Sequence, residues 1–230
     1  EHFGGEGEPM LFAHANGYPP GSYAHLFRDL GRHFEISAIE HRPLWGGREP
    51  PPNVKWSLFV DDWLRAMDKH VNEPVTLMGH SMGGTISALA AAREPDRFKR
   101  LILLDPEFLP SRYRWAQRFM GSKSKGSSHM VVKASKEPTD SGVQLRFSPA
   151  WEAAVYSANI IAVKPVLQKI KLPTLGLRGK ESNTVLPDVF ARLHHWQPTA
   201  ELHELAGGHL FPMERPHETA RAITDYFFPS

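Results

Sequence analysis

Cysteine is absent from all 230 residues, which excludes disulfides, a thiol nucleophile and any cysteine-held zinc or iron–sulfur centre. Its absence fits a reducing cytoplasm, the expected compartment, and no signal peptide is visible. The chain opens on Glu1 rather than on methionine, so a leader or an upstream strand has room to have been removed. Long apolar runs are missing too. The longest, Leu101 to Leu104, is strand-sized, far short of the ~20 residues that cross a bilayer. Net charge is scarce at +2, too small to point to nucleic acid. Internal repeats are not evident.

One local absence stands out. Between Phe108 and Lys136 there is no acidic residue, while Arg112, Arg114, Arg118, Lys123, Lys125, Lys133 and Lys136 are basic. Such a stretch reads either as a solvated face or as a positive rim that attracts anionic substrates.

What is present suits one soluble globular core: 41% hydrophobic and 23% charged residues in a length short for two domains. Short β-branched apolar runs alternate with amphipathic stretches. Strands are expected at 10–13, 35–39, 75–78, 101–104, 174–177 and 201–205. Helices are expected at 22–33 (opened by a Ser22 cap), 57–70, 82–93, 189–196 and 214–227. Strands joined by helical crossovers imply a doubly wound, mostly parallel α/β sheet covered on both faces. The pattern is interrupted from 106 to 165, where a basic, aromatic stretch, a Gly/Ser/Lys-rich segment and a helix at 149–158 replace the alternation. An insertion of that length is a lid or a long loop. The expected division is therefore a core of 1–105 and 166–230 with a cap at 106–165.

The strongest chemical signal is Gly79-His80-Ser81-Met82-Gly83-Gly84, directly after one expected strand and directly before a helix. A Gly-x-Ser-x-Gly turn in that context strains the serine backbone and lifts its hydroxyl to the carboxyl edge of the sheet. A serine hydroxyl needs a base to take its proton. Thirteen histidines are available, so position decides. His209, in Ala206-Gly207-Gly208-His209, follows the last strand on a loop able to swing an imidazole over that edge. Asp61, Asp62 and Asp68 read as the solvated face of a helix, and His194-His195 lacks the partner pattern of a metal site. Arg42 and Trp45 fall on a loop at the expected site mouth.

Four segments in order, His14-Ala15-Asn16-Gly17, the Ser81 elbow, Leu103-Leu104-Asp105-Pro106 and Gly207-Gly208-His209 through Glu214-Arg215-Pro216, resemble the α/β-hydrolase superfamily over nearly the whole chain. The resemblance implies a Ser–His–acid triad, an oxyanion hole and a lid after the sixth strand, with the N-terminal strands here missing or reduced to 1–9. By that match the backbone N–H groups of Asn16 and Met82 are the oxyanion donors. The family's usual acid turn reads Gly179-Lys180-Glu181-Ser182-Asn183 here, with serine at the acid position. A variant within the family places the acid after the sixth strand, where Asp105 stands. Asp105 is the first candidate, with Glu107 and Glu181 as alternatives. His14, Tyr113 and Trp115 are candidate substrate contacts, with Phe119 beside them, although His14 also reads as a structural hydrogen-bonding residue.

These roles give acyl transfer to water from a small-molecule ester, with no cofactor and no metal. Thioesters, lactones and β-diketone carbon–carbon bonds fall to the same machinery. A receptor-like protein that binds such ligands without turnover is the reading from another class.

Overall fold

The computed structural model describes residues 1–47, 49–71, 73–108, 136–139, 142–158 and 162–229, with the backbone alone over 136–139 and 142–145. Seven strands form the main sheet, in the order β1-β3-β2-β4-β5-β8-β9. They are β1 (His2–Gly4), β2 (Glu8–Ala13), β3 (Phe34–Ile39), β4 (Val75–His80), β5 (Phe98–Leu104), β8 (Thr174–Gly179) and β9 (Ala200–Leu205). All neighbours are parallel except β1, which runs antiparallel to β3. A separate antiparallel hairpin, β6 (Lys136–Thr139) and β7 (Gly142–Leu145), lies within the 106–165 interruption.

The sheet is doubly wound because its strands alternate at period two between two cores. Leu11 and Ala13, Leu77, and Leu101 and Leu103 face one cluster; Met10 and Phe12, Met78, and Ile102 and Leu104 face the other. The first cluster is closed by α2 (Trp56–His70), α3 (Met82–Arg93), α4 (Pro149–Ser157), α5 (Val163–Leu167) and α6 (Pro187–Trp196). The second is closed by α1 (Ala24–Leu30), α7 (Phe211–Glu214) and α8 (Pro216–Phe227). In α2 the buried residues Trp56, Phe59, Val60, Trp63, Leu64 and Met67 recur every three or four positions, one stripe of a helix.

Several boundaries differ from the sequence reading. Strand β1 falls within residues 1–9, where the sequence leaves the N-terminal strands missing or reduced, and its three residues show no alternation. Ser22 does not cap α1: Pro20–Tyr23 forms a 3-10 turn and Tyr23 takes the N-cap position without a side-chain cap bond. The last helix is broken before Pro216, whose ring cannot continue the turn, leaving α7 and α8. Asp62 is not on a solvated face. It is buried at 8% exposure and takes both Nε and Nη2 of Arg42, at 2.8 and 2.5 Å. Arg42 lies over the Trp45 ring, 5.3 Å from its centroid. Asp68 meets Arg97 at 2.7 Å. Among the described residues no helix is long and apolar enough to cross a membrane.

Between β2 and β4 the order of the sheet reverses, since β3 lies on one side of β2 and β4 on the other. Open α/β sheets bind ligands at the carboxyl ends of the strands flanking such a switch point. Ser81 and the segment His14–Gly17 follow those two ends.

Candidate active site

The elbow begins where β4 ends. Ser81 has φ 55° and ψ −119°, a conformation L residues rarely adopt. It is held there from both sides, by its N–H on the Leu104 carbonyl at 2.9 Å and by the Thr85 and Glu107 N–H groups on its own carbonyl at 3.1 and 3.2 Å. Gly83 makes the approach possible. A Cβ there would lie 2.0 Å from the Ala13 carbonyl oxygen and 2.7 Å from that of His14. The first turn of α3 therefore rests against the end of β2. As first residue of that helix, Met82 has no intrahelical acceptor for its N–H.

Ser81 Oγ lies 2.9 Å from His209 Nε2, and His209 Nδ1 lies 2.6 Å from Asp105 Oδ2. Ser81 is 7% and Asp105 0% exposed, while the His209 side chain keeps 29% of its surface open. A carboxylate accepts only, so Nδ1 carries the proton and Nε2 is left to accept from the serine hydroxyl. Ser81 and Asp105 follow the ends of the neighbouring strands β4 and β5, and His209, on the loop after β9, lies 128 and 104 residues further along the chain. Gly207 turns the last loop with φ 108°, and its carbonyl takes the Glu181 N–H at 3.1 Å.

Of the acid candidates, Asp105 alone meets the imidazole. Glu181 is exposed. Glu107 is largely buried, which pushes its carboxyl up to about 7, and its backbone rather than its carboxylate touches the elbow. Ser182, at the usual acid position, donates its hydroxyl to Asp105 Oδ2 and accepts the Thr184 N–H at 3.1 Å. The serine at that position is thus a hydrogen-bond partner of the Asp105 carboxylate.

His14 lies at the end of β2 but presents no surface. It is 0% exposed, its Nε2 accepts the His41 N–H at 2.9 Å, and its Nδ1 donates to the Ala15 carbonyl at 2.8 Å. His41 Nε2 in turn donates to the His14 carbonyl at 2.9 Å. Burial first, and then mutual proximity, drives His14 well below the ordinary histidine value; burial takes His41 down to about 4. Both are neutral structural residues, so His14 is removed as a substrate contact. The Asn16 carboxamide has both polar atoms buried and unpaired among the described residues. Tyr113, Trp115 and Phe119 lie outside the described residues, as does most of the basic stretch.

Sequence reasoning missed Tyr23, His41, His80 and Ser182. Only Ser182 carried a signal, as the departure from the family's acid turn. Tyr23 and His41 are brought to the site by contacts between distant segments, and His80 stands in the elbow itself, where only the fold supplies its partners Tyr23 and the His209 carbonyl.

The descriptor "alpha/beta hydrolase fold" belongs to a family model that matches residues 8–125, just over half of the chain. A curated relative, the monoglyceride lipase homolog of Monkeypox virus, is 25% identical over 213 residues, covering 82% of this chain and 75% of its own. The 2-hydroxy-6-oxo-2,4-heptadienoate hydrolase of Pseudomonas putida is 23% identical over 259 residues, 98% of this chain and 91% of that one. Among solved structures, that of E-2-(acetamidomethylene)succinate hydrolase superposes with a TM-score of 0.79 at 20% identity, over 97% of this chain and 92% of that chain. The sheet order, the strained turn after β4 and these matches agree: the chain belongs to the α/β-hydrolase fold family.

Proposed function

We propose that the protein is a serine hydrolase of carboxylic ester-type substrates that works through an acyl-enzyme on Ser81. The observation that carries this reading is the unbroken line from Ser81 Oγ to His209 Nε2 at 2.9 Å and from His209 Nδ1 to Asp105 Oδ2 at 2.6 Å. It supplies a nucleophile, a base and a buried anion that fixes the base's tautomer.

In this mechanism Ser81 Oγ attacks the ester carbonyl carbon as His209 Nε2 takes its proton. The carbonyl electron pair moves onto oxygen, and that oxyanion is met by the N–H groups of Asn16 and Met82. Donors of this kind lower the barrier by roughly 3–4 kcal/mol each where their removal has been measured. The tetrahedral intermediate collapses, the C–O bond breaks, and the alcohol leaves with the proton from His209. Water then attacks the acyl-enzyme with His209 again as base, releasing the acid and restoring Ser81. Asp105 stays ionised throughout and stabilises the imidazolium. Serine rather than aspartate at the elbow favours this route over an alkyl-enzyme ester. The segment 106–165 takes the part of lid in this proposal.

The relatives' names include an ester hydrolase and a hydrolase of a dienoate. The same residues would serve thioesters, lactones or activated carbon–carbon bonds, and a carboxylic ester is the substrate class put to test. Hydrolysis of a chain-length series of p-nitrophenyl esters by wild type and Ser81→Ala decides it. The expected result is turnover by wild type that disappears in the mutant. A folded wild type inert toward every ester would transfer the case to a ligand-binding protein or to another acyl substrate.

A further inference from the structure

Three segments around Ser81 have to hold still for acyl transfer: the loop after β2 with the Asn16 N–H, the elbow itself, and the loop after β9 with His209. One buried line of hydrogen bonds passes through all three. Ala15 N–H reaches Tyr23 Oη at 3.2 Å, Tyr23 Oη lies 2.7 Å from His80 Nδ1, and His80 Nε2 lies 2.9 Å from the backbone carbonyl of His209. Tyr23 is 1% and His80 0% exposed.

The polarity of this line is forced. An amide N–H can only donate, so Tyr23 Oη accepts from Ala15 and spends its single proton on His80 Nδ1. A carbonyl can only accept, so the proton of His80 sits on Nε2 and points to His209. A cationic His80 would set a second proton against the Tyr23 hydroxyl and break the line. Burial, with His209 nearby as a lesser cause, holds His80 well below the ordinary histidine value, and burial raises Tyr23 above the ordinary phenol value. Both side chains are neutral.

Each end of the line fixes something the proposed reaction uses. At the near end, Ala15 is gripped at both backbone groups, since its carbonyl also takes His14 Nδ1–H at 2.8 Å and the Tyr18 N–H at 3.2 Å. No peptide bond in the described chain is cis, so the Asn16 N–H points opposite to that held carbonyl. At the far end, the peptide from which the His209 imidazole hangs is tied to the residue preceding the nucleophile.

We propose that Tyr23 and His80 are positioning residues for acyl transfer, coupling the oxyanion-donor loop to the general-base loop across the elbow. The inference rests on the serine-hydrolase reading of Ser81. It gives the variable position of the Gly-x-Ser-x-Gly turn a task distinct from filling space, and a partner 57 residues away in Tyr23.

The test compares Tyr23→Phe, His80→Leu and His80→Gln in the whole chain, with p-nitrophenyl acetate as substrate. Glutamine presents an acceptor and a donor at nearly the spacing of the two ring nitrogens, so it can restore the line where leucine cannot. The expected result is kcat lowered about tenfold or more in Tyr23→Phe and His80→Leu with KM within about twofold, and His80→Gln within about threefold of wild type. A purely structural role would lower melting temperature and leave kcat of the folded fraction unchanged. Folded Tyr23→Phe with wild-type kcat, or His80→Gln as impaired as His80→Leu, overturns the proposal. Tyr23→Phe removes one oxygen, so it decides the matter if His80→Leu does not fold. Nitrogen-15 NMR separates this from the hydrolase reading. If wild type hydrolyses no ester, Tyr23→Phe shifting both the His209 imidazole and Asn16 amide resonances supports the coupling, and leaving either in place refutes it.

Discussion

Ser182 and Asp105, 77 residues apart in the chain, share a buried hydrogen bond in which the serine hydroxyl donates to the same carboxylate oxygen that receives His209 Nδ1–H. The other oxygen, Oδ1, is buried without a partner among the described residues. Nearly all the compensation for burying this charge therefore sits on one atom. Hydrogen bonds to charged groups contribute about 1.5–3 kcal/mol. Ser182→Ala should lower the unfolding free energy by about 2 kcal/mol in urea titration, while kcat falls less than about tenfold because the His209 contact persists. A kcat loss matching that of an Asp105 mutant would make Ser182 part of the reaction rather than a support for the acid.

Asp105→Asn keeps the shape but offers an amide that can turn a donor toward Nδ1 and select the wrong tautomer. Turnover should fall several hundredfold or more, with Glu181→Gln near wild type. Steady-state kinetics of the pair checks this, and the reverse ranking would move the acid to the loop after β8.

Asn16, the proposed oxyanion donor through its backbone N–H, has a side chain whose two polar atoms are shielded and without a partner among the described residues. A buried polar group without a partner costs about 1–3 kcal/mol. Asn16→Ala removes that cost and keeps the N–H, so thermal denaturation should show a protein more stable by about 1 kcal/mol, with kcat within about threefold. A clear loss of stability would mean the carboxamide is satisfied in the native state.

His14, His41 and His80 are buried and neutral, each with its folded value below that of the unfolded chain. Between an unfolded value of about 6.5 and the folded values, the unfolded state binds more protons, so stability rises with pH across this window. Lowering the pH from 7 to 5, with a urea titration at each step, should therefore weaken the fold. The slope is about 1.4 kcal/mol per pH unit for each histidine once below 6.5. The loss for His41 ends near pH 4, where its folded form also protonates. His80→Gln should remove one histidine's share of the slope. Stability flat from pH 7 to 5 would contradict the neutral assignments.

The core strands and the elbow were legible because their signals are local. Leu101 to Leu104 is apolar throughout, and Gly79 to Gly84 runs from the end of a strand through Ser81 into the first turn of a helix, both where expected. What escaped depended on distant partners. Asp62 looked solvated on its helix, yet Arg42 from the loop after β3 covers it. Tyr23 looked like one more residue of a helical stretch, and nothing in its neighbourhood announces His80. Strand β1 pairs through only three residues, too few for any period to show.

Activation of Ser81 by His209 and Asp105 carries the proposed reaction, and a fluorophosphonate probe followed by intact-mass and peptide analysis tests it most directly. Wild type should take up one phosphonate on Ser81, and Ser81→Ala and His209→Gln should take up none on the same timescale. An unlabelled wild type, or equal labelling in His209→Gln, would contradict the claim.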